Sequence, residues 1–140
     1  MKTLHENIQS DMWYVYKMIS DVIDVLEHGK GNLEVAAKAR RIKWLIGRVN
    51  STVTHFATAA GGTLEELPAD CTLDELRGVS NRVKDAALHH IGSLSDTQIL
   101  DNPTDSVEGS VYFCLHHAIF YSAVQIGKMH QMLGIKDSEK

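Results

Sequence analysis

Proline is scarce in this chain, two residues in 140, and glycine is modest at ten. So few breakers favour long helices over many short strands joined by tight turns. Cysteine is nearly absent too. Cys71 and Cys114 stand far apart with no Cys-x-x-Cys spacing, which reads as two free thiols in a reducing compartment rather than a disulfide. No uninterrupted apolar run approaches the roughly 18 residues of a membrane span, and Met1–Glu6 lacks the apolar core of a secretory signal. The expectation is a cytoplasmic protein. A basic excess is missing as well. Fourteen Lys and Arg face eighteen Asp and Glu, for a net charge of −4, so neither nucleic acid nor an anionic membrane is expected as partner.

What is present is an ordinary globular composition, 44% hydrophobic and 23% charged, in a length that suits one core and one domain over residues 1–140. Four segments carry apolar residues at helical spacing. In the first, about 6–26, Met12, Val15, Ile19, Val22 and Leu26 recur, and Gly29-Lys30-Gly31 stops the run. The second, 33–60, starts behind Asn32 as N-cap and holds one face through Val35, Ala39, Ile42, Ile46, Val49, Val53, Phe56 and Ala60. Thr72-Leu73-Asp74-Glu75 is a capping box that opens the third, 72–94, with Leu76, Val79, Val83, Ala87 and Leu94 on its stripe. The stretch from Ser95 to Pro103 has no helical period and reads as a connection. The fourth segment, 106–133, runs through Val111, Cys114, Ala118, Met129 and Met132 to Gly134, a left-handed C-cap. Nothing alternates with period two. The reading is an all-α four-helix bundle with Val49, Val53, Val83, Val111 and Ala118 buried.

Function in a bundle tends to sit where polar residues interrupt the inward stripe. Arg48 stands next to Val49, and the fourth helix carries Ser122 and Gln125 between Ala118 and Met129, with Tyr121 beside them. These four outline a notch able to hold a small molecule or partner. Arg48 gives it a preference for an anion, since a guanidinium fork suits a carboxylate. An internal partner for Arg48 would be Asp24 or Asp85. Eight histidines invite a metal reading. Adjacent residues on a helix diverge by about 100°, so His89-His90 and His116-His117 do not chelate as pairs. A divalent transition metal would have to draw on His55, His117 and His116, with His90 as a further donor. No Ser/His/Asp set, glycine-rich phosphate loop or paired-carboxylate motif appears. Trp13, Tyr14, Tyr16, Tyr112, Phe113 and Phe120 suit a core or a subunit interface, and surplus apolar surface on the first and fourth helices predicts a homodimer.

Three segments add a resemblance. Ile42-Lys43-Trp44-Leu45-Ile46-Gly47-Arg48-Val49, Leu73–Leu94 with Ser95-Asp96-Thr97-Gln98-Ile99-Leu100, and Tyr121-Ser122-Ala123-Val124-Gln125-Ile126 followed by Leu133-Gly134 resemble, in this order, segments of the DinB/YfiT-like superfamily. The resemblance implies an up-down-down-up four-helix bundle, pairing through helices, and metal-dependent chemistry with low-molecular-weight thiols. The family's three metal-ligand histidines fall on Arg48, Ala118 and Ser122. A guanidinium repels a cation, a methyl group cannot coordinate one and a neutral hydroxyl is a poor ligand. Shifting the last helix by one residue brings His117 and Tyr121 onto ligand positions but forfeits the Gln and Leu-Gly matches. The expectation is therefore a divergent domain with no metal cofactor, binding a small molecule or partner. The alternative is a thiol S-transferase, isomerase or hydrolase using zinc, nickel or iron on relocated histidines.

Overall fold

Thr3 begins the first helix. Its hydroxyl accepts from the Glu6 N–H while the Glu6 carboxylate accepts from the Thr3 N–H, a capping box that starts α1 (Leu4–His28) two residues before the apolar period suggests. The computed structural model describes residues 3–58, 67–68, 70–100 and 110–135. Asn32 caps α2 (Leu33–Ala57) through the N–H groups of Glu34 and Val35. The Thr72–Glu75 box opens α3 (Leu73–Gly92). Ser110 caps α5 (Val111–Leu133), and Gly134, at φ 69°, takes the left-handed turn that lets the Ile135 N–H reach the His130 carbonyl. The described residues form helices and no strand.

Three expectations change. A short helix, α4 (Asp96–Leu100), occupies part of the expected connection. Five residues are too few to show a period, but Ser95 and Gln98 exchange the reciprocal bonds of a second kind of capping box, and Ile99 anchors the turn in the core. Helix α2 ends at Ala57, and the expected Ala60 lies outside the described residues, as do the Asp101–Asn102–Pro103 turn and the expected start of the last helix. Val111 is half-buried, not buried, because it is the first residue of α5. Val49, Val53, Val83 and Ala118 are all in the core, with the whole Met12–Leu26 stripe.

The core lies between α1, α2, α3 and α5. Helix α2 packs chiefly on α5, and α1 on α3, while α1 and α2 barely meet. Side-chain bonds tie particular levels together. Gln9 Nε2 donates to the Leu88 carbonyl at 2.8 Å, and Arg77 binds Asp24 at 2.8 Å. Lys38 reaches the Met132 carbonyl at 2.7 Å, and the Phe56 and His117 rings meet at 4.8 Å. Lys43 donates to the Cys71 carbonyl at 2.7 Å. No helix among the described residues is long and apolar enough to cross a membrane. Both cysteines are free thiols.

Candidate functional site

The buried residues of α2 are Ile42, Leu45, Ile46, Val49, Asn50, Val53, Thr54 and Ala57. At about 100° per residue, Arg41, Trp44 and Arg48 lie roughly 130–170° from the centre of that stripe. They form an outward row. Trp44 is 52% exposed, the Arg41 guanidinium lies 4.4 Å from its ring centroid and that of Arg48 6.0 Å. Arg40 and Lys38 are exposed nearby. Helix α2 thus carries five cations against the single carboxylate of Glu34, in a chain whose net charge is −4. Among the described residues Arg40, Arg41 and Arg48 have no carboxylate partner.

This placement corrects the expected notch. Arg48 faces solvent rather than the interior, because its neighbour Val49 points about 100° away from it. Ser122 is fully buried and donates to the Ala118 carbonyl of its own helix at 2.6 Å. Gln125 and Ala118 are also core residues, and Tyr121 is half-buried at the edge, 6.3 Å from the His117 ring. Ser122, Gln125 and Arg48 therefore do not converge. Nor, among the described residues, does an internal acid serve Arg48. Asp24 is held by Arg77 and Asp85 is exposed on α3.

The histidines gather differently from a metal site. Phe56 stands between His55 and His117, with ring centroids 4.5 and 4.8 Å away. His116 lies 4.4 Å from Tyr112. Among the described residues no group of three or more His, Cys, Asp or Glu is placed to hold one ion. His90, half-buried near the end of α3, has its basicity lowered by burial and by the neighbouring His89. Its folded pKa lies below its unfolded value of about 6.5, so the unfolded chain protonates first and stability falls as pH drops through that value. His90→Gln is expected to flatten the pH dependence of urea unfolding just below pH 6.5. An unchanged slope would remove His90 from that account.

A polar constellation the sequence reading passed over lies inside the core. The Tyr16 hydroxyl donates to Asn50 Oδ1 at 2.8 Å, and Asn50 Nδ2 donates to Ser80 Oγ at 3.1 Å. All three side chains are buried, and burial pushes the Tyr16 phenol well above its usual range. The signal was available, since Asn50 sits within the Ile46–Val49–Val53 stripe. This network links α1, α2 and α3 inside the core, where bonded buried polar groups of this kind fix helix register. Elsewhere, an open depression of about 580 Å³ is lined by Glu6, Gln9, Ser10, Trp13, Tyr14 and Leu88. Glu6 is engaged in the α1 cap and Gln9 with Leu88. Among the described residues, the exposed charged cluster left for a binding role is accordingly the cationic row on α2. No protein-family model, curated protein or solved structure matches this chain.

Proposed function

We propose that the chain is a DinB/YfiT-like, up-down-down-up four-helix bundle that works without the family metal. It binds a small anionic molecule, or an anionic group of a partner, through the outward face of α2. The topology is supported by the cross-links. Gln9 with Leu88 and Asp24 with Arg77 oppose α1 and α3, Lys38 with Met132 and Phe56 with His117 oppose α2 and α5, and Lys43 with Cys71 and Asn50 with Ser80 run α2 and α3 the same way. The same reading makes the protein a cytoplasmic homodimer, in keeping with its two free thiols and exposed aromatics.

The observation that carries the binding function is the pair of guanidinium groups flanking an exposed indole, with no carboxylate among the described residues to neutralise them. Stacking on Trp44 restrains the two side chains, which lowers the entropy lost when a carboxylate or phosphate is gripped bidentately. The metal-dependent alternative has to bring His55 and His117 together around Phe56, whose ring touches both. At the family's ligand positions stand an outward guanidinium, a core methyl group and a core hydroxyl already bonded to the backbone. Stoichiometric zinc, nickel or iron in protein purified without a histidine tag would favour that alternative.

The test is a thermal-shift screen of small di- and tricarboxylates and phosphates. A ligand present at ten times its Kd stabilises by about 1.4 kcal/mol, or about 4 °C for a domain of this size. Wild type is expected to respond, and Arg41→Met/Arg48→Met to lose the response while keeping its own Tm. Equal responses in the two proteins would end the proposal.

A further inference from the structure

Helix α5 is apolar on two faces. From Val111 to Gly127 it has no Asp, Glu, Lys or Arg. Its inner face, with Leu115, Ala118, Ile126 and Met129, fills the core. On the opposite side Phe113, His117, Phe120, Val124, Gly127 and Gln131 are all exposed, Phe113, Phe120 and Val124 by 56%, 71% and 43%. These positions are spaced four, three, four, three and four residues apart, the 3.5-residue period of a helix that packs lengthwise on another helix. The Phe113 and His117 rings already stack along this row, 6.3 Å apart and 15° from parallel. The outward faces of the other long helices mix charge with their exposed aromatics: Asp11, Lys17 and Asp21 accompany Trp13 and Tyr14 on α1, Arg40, Arg41 and Arg48 accompany Trp44 on α2, and Asp74, Arg82 and Asp85 lie on α3.

We infer that this second seam is the homodimer interface, two copies of α5 packing antiparallel about a two-fold axis at Phe120. This deepens the homodimer reading above by naming its face and register. An isologous contact sets one stripe against itself, which repels if the stripe is charged and costs nothing of that kind here. Size complementarity selects the centre. Phe113 and Gly127 both lie seven residues from Phe120, so the two-fold sets the largest side chain of one copy against the position with no side chain on the other. Open space lies over Gly127, where even an added Cβ would meet nothing within 4 Å. Val124 falls opposite His116 in the same register. A charged partner would lose solvation against this stripe with no ion pair in return, so a second copy suits it better than an acidic or basic surface does.

The experiment combines mass and cross-linking on the full chain. Light scattering at micromolar concentration is expected to give twice the 15.6 kDa chain mass. Phe120→Arg and Gly127→Arg are expected to halve it while the helical circular dichroism stays unchanged. In a Cys114→Ser background, Phe120→Cys alone should oxidise to a disulfide-linked dimer, since the residue faces its own copy across the axis. Phe113→Cys alone should not, whereas Phe113→Cys/Gly127→Cys should. A monomeric wild type overturns both the inference and the homodimer reading. A dimer that survives both arginines overturns this face and leaves the homodimer standing elsewhere. Linkage through Phe113→Cys alone overturns the register.

Discussion

Asn50→Asp is expected to destabilise the protein by about 4 kcal/mol at pH 7 and by far less at pH 4. The side chain is 0% exposed, accepts from the Tyr16 hydroxyl at 2.8 Å and donates to Ser80 Oγ at 3.1 Å. Aspartate matches asparagine in shape, so packing is preserved and charge is the variable. Two hydroxyl donors do not replace the hydration of a carboxylate, and full burial raises such a pKa by about 3–5 units, each worth about 1.4 kcal/mol. The folded pKa then lies above the unfolded value of about 3.9, and between the two the native state holds the extra proton. The deficit is therefore absent below about pH 4, grows as pH rises and levels off above the folded pKa. Urea unfolding of variant and wild type at both pH values measures it, and a deficit independent of pH would show that Asn50 is not sealed from water. The triple variant Tyr16→Phe/Asn50→Leu/Ser80→Ala removes every partner together and should cost far less, because no buried donor or acceptor is left unpaired.

Most helices were legible because burial imposes a period on the sequence. Met12 to Leu26 and Val49 with Val53 mark buried faces, and local chemistry marks ends, as at Asn32, Thr72 and Gly134. Helix α4 was not legible as a stripe, since one buried residue, Ile99, defines no period. Its Ser95–Gln98 box was the readable trace. The candidate site failed on a subtler point. Adjacency to Val49 suggests an inward Arg48, but on a helix adjacent residues face different ways and the relevant neighbours are three and four away. By that rule Arg48 belongs with Trp44 and Arg41, and Asn50 belongs with Ile46 and Val53. Even then, the joining of Asn50 to Tyr16 and Ser80 depends on which helices face each other, which a one-dimensional pattern does not specify.

The two unusual surfaces divide between two helices that pack on each other. Helix α2 presents charge with one stacked aromatic, and α5 presents aromatics along a stretch, Val111 to Gly127, that has no Asp, Glu, Lys or Arg. Each is a different demand on a partner. The cations are hydrated and stay exposed until an anion arrives, so they suit a reversible ligand. Exposed Phe113 and Phe120 are unfavourable in water at every moment, at about 25 cal/mol per Å² of apolar area, so they suit a lasting contact. An anion on α2 and a second copy on α5 are therefore compatible on one molecule.

Placing histidines at positions 48, 118 and 122, where the DinB/YfiT-like resemblance would put metal ligands, is expected to damage this protein rather than load it with metal. Ala118 and Ser122 are 0% exposed on the inner face of α5, where an imidazole must displace packed neighbours. Overpacking costs about 1–3 kcal/mol per site, and a buried ring nitrogen without a partner about as much again. Ala118→His/Ser122→His should therefore lose at least about 3 kcal/mol, including the bond from Ser122 to the Ala118 carbonyl. Arg48→His alone should stay within about 0.5 kcal/mol of wild type, as exposed substitutions do. The triple variant places two imidazoles in the core and one on the outer face of α2, so the three do not share an ion and zinc should leave its Tm where the metal-free protein has it. Thermal melts with zinc and with a chelator decide the matter. A metal-dependent rise of several degrees in the triple variant, absent from the double, would mean that position 48 does turn toward α5 and that the three positions can share one ion.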